Sequence, residues 1–290
     1  MRRAMFAAVT LFISAAASAQ SGTLPPAIYT DPPKDAAHPA RMEVLHIPTG
    51  GVAINGVAYL AAGAGPHPTV VICHGLPGIE KNLDLAQAAR RGGWNAITFN
   101  YRGSWGSPGN YRLAQNPQDA KAVLAYLRKP DVAARYGIDV SRLAVIGHSM
   151  GGWVAATIGG EDDALLGVAL ISAANMGQRD KVSRADLIAF MADNKESLAG
   201  VTAEQLADEV IQNSAVFDFT RQARGLSQRH MLILSSDDGL APETDALAAA
   251  VRAVDGSRLE MQHVATDHSW SDQRIHLQAL ILNWLTKLAN

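Results

Sequence analysis

The sequence predicts an α/β protein: a mostly parallel eight-stranded sheet flanked by helices, interrupted late in the chain by a helical insertion. Three observations carry this expectation. Eight short runs have the length and composition of strands, and from Thr69 onward they alternate with helical segments. Several of those runs are apolar at every position, which fits strands covered by helices on both faces. One long stretch, Asn175 to Ser227, holds no strand-like run although strands lie on either side of it.

Bulk composition sets the frame. A chain of 290 residues is long enough for one large domain with a well-buried core. Hydrophobic residues make up 48% and charged residues 18%, which excludes a disordered chain. The formal net charge is −2 and no lysine or arginine run appears, so nucleic acid is not an expected partner.

Residues 1–19 read as a signal peptide. Arg2 and Arg3 form a positive start, Ala4 to Ala17 is apolar but short for a membrane span, and Ala17-Ser18-Ala19 is a small-x-small cleavage site. Export to a periplasm or the medium, without a stable membrane anchor, is the expectation. Cys73 is the single cysteine, so no internal disulfide is expected. It closes an apolar run and reads as a small buried hydrophobe.

Residues 20–40 are rich in proline and read as an extended arm leading into a domain over 41–290. Glu43 to Ile47 and Val52 to Leu60, joined by Thr49-Gly50-Gly51, look like an antiparallel pair. Thr69–Cys73 is a strand, Leu83–Arg91 a helix and Ala96–Asn100 a strand. Pro117–Leu127 is a helix, with Asn116 placed to cap it and Pro117 as its first residue. Leu143–Gly147 is a strand, Met150–Ile158 a helix and Leu166–Ser172 a strand. The insertion at about 175–227 follows. Thr202-Ala203-Glu204-Gln205 is a capping-box start, with Val201 and Leu206 spaced as a hydrophobic staple. A helical insertion of this length is expected to act as a lid. Met231–Ser235 (strand), Glu243–Val254 (helix), Leu259–Val264 (strand) and Gln273–Leu288 (helix) complete the pattern.

The chemistry concentrates at Gly147-His148-Ser149-Met150-Gly151. A serine on a sharp turn between strand and helix has an exposed hydroxyl, and bulky residues two positions away would clash. The strand Leu143–Ile146 lies immediately before this motif and helical residues Trp153, Val154 and Ile158 follow it. Ser149 is therefore the candidate nucleophile. The Met150 N–H would point at a developing oxyanion.

A serine needs a base, and the base an orienting carboxylate, which in this arrangement follow in the order Ser, Asp or Glu, His. His268 sits in the loop after the strand Leu259–Val264 and is preferred to His263, which lies within that strand. Asp237 and Asp238 both follow the strand Met231–Ser235. Asp238 is better spaced to the turn Gly239-Leu240-Ala241-Pro242 and is preferred, with Asp237 left open. The Leu76 N–H, in the glycine-bearing loop after Cys73, is the candidate second oxyanion donor. Tyr101 is either a substrate-contacting hydroxyl or a packing aromatic, and His148 is a further candidate for substrate contact. Histidines do not fall at metal-ligand spacings and no cysteine cluster exists, so neither metal nor cofactor is expected.

Taken together, His74-Gly75-Leu76-Pro77-Gly78, Gly147 to Gly152, Asp238-Gly239-Leu240-Ala241-Pro242 and Asp267-His268-Ser269-Trp270 resemble the α/β-hydrolase superfamily over about Arg41 to Leu288. Asn100 to Ser107 and Asp139-Val140-Ser141-Arg142-Leu143 are similar to the corresponding segments of dipeptidyl-aminopeptidase and acylaminoacyl-peptidase relatives. The resemblance implies an α/β-hydrolase fold and a serine hydrolase acting on a small acyl substrate through Ser149, Asp238 and His268. A carboxylic ester is the expected substrate, with a small exported serine peptidase as the alternative.

Overall fold

A computed structural model describes residues 24–289. The signal-peptide expectation, over residues 1–19, lies outside the described residues. Of the arm, residues 24–40 are described. They hold one short 3-10 turn, Pro26–Ile28, none of whose residues is buried, and the Arg91 side chain donates to the carbonyls of Ala27 and Ile28.

The eight-stranded sheet is present. Its strands are β1 (Arg41–Thr49), β2 (Val52–Leu60), β3 (His67–Cys73), β4 (Asn95–Phe99), β5 (Ile138–His148), β6 (Leu165–Ile171), β7 (His230–Ser236) and β8 (Leu259–Val264), in spatial order β1-β2-β4-β3-β5-β6-β7-β8. β1 and β2 form a hairpin in which Thr49 faces Val52. Its two-residue turn needs left-handed backbone at both positions, and Gly50 (φ +53°) and Gly51 (φ +81°) provide it. β2 also pairs antiparallel with β4, and every pairing from β4 to β8 is parallel.

The apolar strands are buried on both faces because alternate residues enter different cores. Val71, Val145, Val168 and Ile233 pack into one, and Val70, Ile72, Ala144, Ile146, Ala169 and Leu232 into the other. The second core is closed by α1 (Leu83–Arg91) and α9 (Arg274–Ala289). The first is closed by α2 (Asn116–Leu127), α3 (Pro130–Tyr136), α4 (Met150–Glu161) and α8 (Ala241–Asp255), together with the insertion.

Within the insertion lie α5 (Arg184–Asp193), α6 (Ala203–Phe217) and α7 (Ala223–Leu226), with 3-10 turns over Met176–Lys181 and Phe219–Gln222. The capping box forms as spaced: Thr202 Oγ1 accepts from Gln205 N at 3.2 Å, and Gln205 Oε1 accepts from Thr202 N at 3.0 Å.

One local expectation is corrected, and two features go beyond the sequence pattern. Asn116 does not cap α2, because the helix begins at Asn116 itself after a 3-10 turn. The Asn116 side chain is buried and donates instead to Tyr111 Oη and Met150 Sδ. α3 had no place in the sequence pattern, although Pro130 opens it and Gly137 ends it in left-handed backbone (φ +61°). β8 is an edge strand with none of its residues buried, so helices do not cover both its faces.

Candidate active site

The strand β5 is fully buried from Leu143 to His148 and turns at Ser149 into α4. Ser149 adopts φ +57°, ψ −127°, a conformation that side chains rarely occupy. Its neighbours hold it there: Ser149 N donates to Ile171 O, while Ser149 O accepts from Gly152 N and Ala174 N. The glycines of the motif are required by space. A Cβ at Gly147 would lie 2.0 Å from Gly151 O, and one at Gly151 would lie 2.1 Å from Cys73 O. The turn thus wedges Ser149 against the loop after β3, where a Cβ at Gly75 would meet Ser149 Cβ at 2.9 Å.

That loop carries the other candidate oxyanion donor. Neither Met150 N nor Leu76 N donates to another backbone group among the described residues. Tyr101 Oη donates to His74 O at 3.2 Å and the two rings meet edge-on at 4.7 Å. Tyr101 is 0% exposed, so its hydroxyl braces the loop from behind and does not face solvent. Pro77 O accepts from Trp105 Nε1 at 2.6 Å and from Ser197 Oγ of the insertion at 3.3 Å. His74 is buried, and its Nδ1–H donates to Gly75 O at 2.8 Å. Burial, chiefly, lowers the His74 pKa to about 4, which keeps the ring neutral. The neighbouring Cys73 thiol is pushed up to about 12 by burial, so it is no nucleophile.

Asp238 and His268 come together from the ends of β7 and β8. His268 Nδ1–H donates to Asp238 Oδ2 at 2.7 Å, and Leu240 N donates to Asp238 Oδ1 at 2.9 Å. Burial raises the Asp238 pKa, but the hydrogen bonds from His268 and Leu240 and the nearby imidazole outweigh it, and the net shift is downward. The Asp238 side chain is 3% exposed and that of His268 is 40% exposed. With Nδ1 committed to Asp238, Nε2 is the ring nitrogen left to act on a substrate or on Ser149. No hydrogen bond joins it to Ser149 Oγ in the structure. Such contacts are often long until substrate binds.

His148, the residue before Ser149, ties the His268 loop to the end of β5. Its Nε2–H donates to His268 O at 2.8 Å and its ring lies 4.8 Å from the His268 ring. Burial, then the nearby His268, lowers the His148 pKa to about 4. It is 4% exposed, which makes it a support for His268 and leaves it little surface for substrate. Arg274 pins the same loop from α9, donating to Ser269 O at 3.0 Å while ion-paired to Asp84. A charged residue after an apparent helix boundary gave no sequence signal for this role.

Asp237 and His263 are paired elsewhere. His263 Nε2 lies 2.9 Å from Asp237 Oδ1 and its Nδ1 lies 3.0 Å from Ser235 Oγ. This second Ser–His–Asp grouping lacks an elbow, since Ser235 is buried within the regular ladder of β7. Asp267 hydrogen-bonds Ser271 N in its own loop.

The insertion reaches this end of the sheet through residues 197–200. Ser104 and Leu198 form a β-bridge, Ala199 N donates to Gly103 O at 2.7 Å and Tyr111 N donates to Ala199 O at 2.9 Å. Trp105 (40%) and Ile79 (80%) are exposed apolar side chains on the loops it touches.

Comparison with known proteins gives a consistent result. Residues 70–286 match the model of the family described as "Alpha/beta hydrolase family". An uncharacterized protein of Mycobacterium tuberculosis is 29% identical over 118 residues, 40% of either chain. The chain thus spans well under half the length of the curated relatives it matches. Among solved structures, an esterase from Pyrobaculum calidifontis superposes with a TM-score of 0.66 at 18% identity, covering 88% of each chain. A thermostable carboxyl esterase from Bacillus coagulans also superposes with a TM-score of 0.66, at 12% identity, covering 86% of this chain and 99% of its own. At such identities the superpositions speak to the fold, and the family match covers most of the sequence: the chain belongs to the alpha/beta hydrolase family.

Proposed function

We propose that this hydrolase cleaves carboxylic esters through a Ser149–His268–Asp238 triad and an acyl-enzyme. The observation that supports the reading is the Asp238–His268 pair, whose loop is bonded through the His268 carbonyl to His148, the residue before the strained Ser149 turn.

His268 Nε2 takes the Ser149 proton as Oγ attacks the acyl carbon. The Met150 and Leu76 N–H groups stabilise the oxygen that becomes negative. His268 then returns the proton to the leaving alcohol as the ester C–O bond breaks. Water attacks the acyl-enzyme by the same route, releasing the acid and restoring Ser149. Asp238 fixes the ring tautomer and offsets the imidazolium charge, as its own low proton affinity allows. The insertion over 175–227 borders the loops that carry Leu76 and Trp105, and on this reading it selects the acyl substrate as a lid. The esterase neighbours support an ester over an amide.

Turnover of short-chain p-nitrophenyl esters alongside aminoacyl amides tests the reading. Ester hydrolysis well above amide hydrolysis is expected. Amide hydrolysis with no ester turnover would move the protein to the peptidase alternative.

A further inference from the structure

Behind the Asp238–His268 pair lies a buried string of polar side chains that the reaction above does not use. Trp270 Nε1–H donates to Ser172 Oγ at 3.0 Å, and Ser172 Oγ lies 2.7 Å from Ser236 Oγ. The three residues are 0%, 1% and 1% exposed. They come from three places: the loop after β8, the residue after β6 and the last residue of β7. Ser236 stands two positions before Asp238.

Two of the three residues hold backbone that side chains disfavour, Ser172 at φ +44° and Trp270 at φ +59°. The surrounding structure maintains both, and both conformations place a side chain in this string. An indole N–H only donates, so Ser172 accepts from Trp270, and within the Ser172–Ser236 pair either hydroxyl can be the donor.

We propose that Trp270, Ser172 and Ser236 form a buried hydrogen-bond chain that ties the His268 loop to the Asp238 turn and so positions the two side chains against each other. The proposal rests on the triad reading above. Asp238 already accepts from His268 and Leu240 on its two oxygens. The chain holds Ser236, two residues before Asp238, and so fixes the backbone from which that carboxylate projects. Because Trp270 is two residues beyond His268, the chain also ties the base loop to the acid loop through the sheet end. None of the three touches substrate or the reacting atoms, so all are positioning residues.

A double-mutant cycle tests this. Ser236→Ala and Trp270→Phe are each made alone and on the Asp238→Asn background, and kcat and KM are measured on a p-nitrophenyl ester. Each single change is expected to lower kcat by about tenfold, with KM unchanged. Each is expected to add no further loss once Asp238 is Asn, since a carboxylate that no longer orients His268 cannot be misplaced. Losses that multiply with that of Asp238→Asn, or a rise in KM with kcat intact, would overturn the chain's role. If Asp238→Asn alone leaves kcat unchanged, the triad reading itself fails, a different outcome from the first. Should Trp270→Phe not fold, Ser236→Ala decides the matter alone, because it removes one hydroxyl and adds no bulk.

Discussion

Asp237 and Asp238 are adjacent, end the same strand and carry the same group, yet the fold gives them different partners. Asp238 turns inward to His268 and Leu240, while Asp237 stays at the surface with His263. The spacing of Asp238 to the turn Gly239-Leu240-Ala241-Pro242 favours it in the sequence, and what the sequence leaves open the folded turn supplies: Leu240 N donates to Asp238 Oδ1 and His268 reaches Oδ2. Asp238→Asn is expected to lower kcat by roughly 10⁴-fold, through the wrong His268 tautomer. Asp237→Asn is expected to stay within about threefold of wild type, as an exposed pair contributes little. Steady-state kinetics on one ester separates them, and equal losses would contradict the assignment. The same limit on legibility applies to His148 and Tyr101. Each is visible in the sequence as a polar aromatic beside a motif, but only burial and a bond to a specific carbonyl, His268 O or His74 O, show that they brace the site's loops.

At the scale of elements, periodicity and turn residues carry the information. The bounds Leu83–Arg91, Val52–Leu60 and Leu259–Val264 are readable because glycine, asparagine or a polar turn lies within three residues of either end of each run. The capping box at Thr202 is readable because its two bonds are local. Helix α3 is short, and its seven residues offer too little periodicity to stand out. Asn116 is misleading because its residue type suits a cap while its side-chain partners, Tyr111 and Met150, lie 5 and 34 residues away in sequence. The elbow is the element on which the site depends. Gly151 packs on the Cys73 and His74 carbonyls with no room for a methyl group, and those atoms are backbone. Gly151→Ala is therefore expected to destabilise the protein by a few kcal/mol and to lower activity of whatever folds. Chemical denaturation followed by circular dichroism measures the first effect, and an unchanged midpoint would show that the turn is looser than this packing implies.

For the whole molecule, two buried neutral histidines link stability to pH. His74 and His148 have folded pKa values lowered to about 4, chiefly by burial, from an ordinary value of 6.5. Unfolding frees both rings to bind protons. Between about pH 6.5 and pH 4 the unfolded chain holds more protons than the native one, so stability rises with pH across that window and is fully present above it. Each ring contributes up to about 3 kcal/mol. A urea midpoint that drops steadily as pH falls from about 6.5 to about 4 is expected, and a flat profile over that range would contradict the burial of these rings in solution. Both histidines lie at the end of the sheet that carries the candidate site, His74 on the loop of Leu76 and His148 beside Ser149, so their protonation would loosen the site along with the fold.

The central claim is that Ser149 is the nucleophile. The most direct measurement is labelling of the intact protein with a fluorophosphonate probe, mapped by mass spectrometry and paired with ester turnover of Ser149→Ala. The expected result is a single adduct on the peptide bearing Ser149, no adduct on the Ser149→Ala protein, and turnover lower by about 10⁴-fold or more. An adduct elsewhere, or a Ser149→Ala protein that is labelled and hydrolyses ester at the wild-type rate, would contradict it.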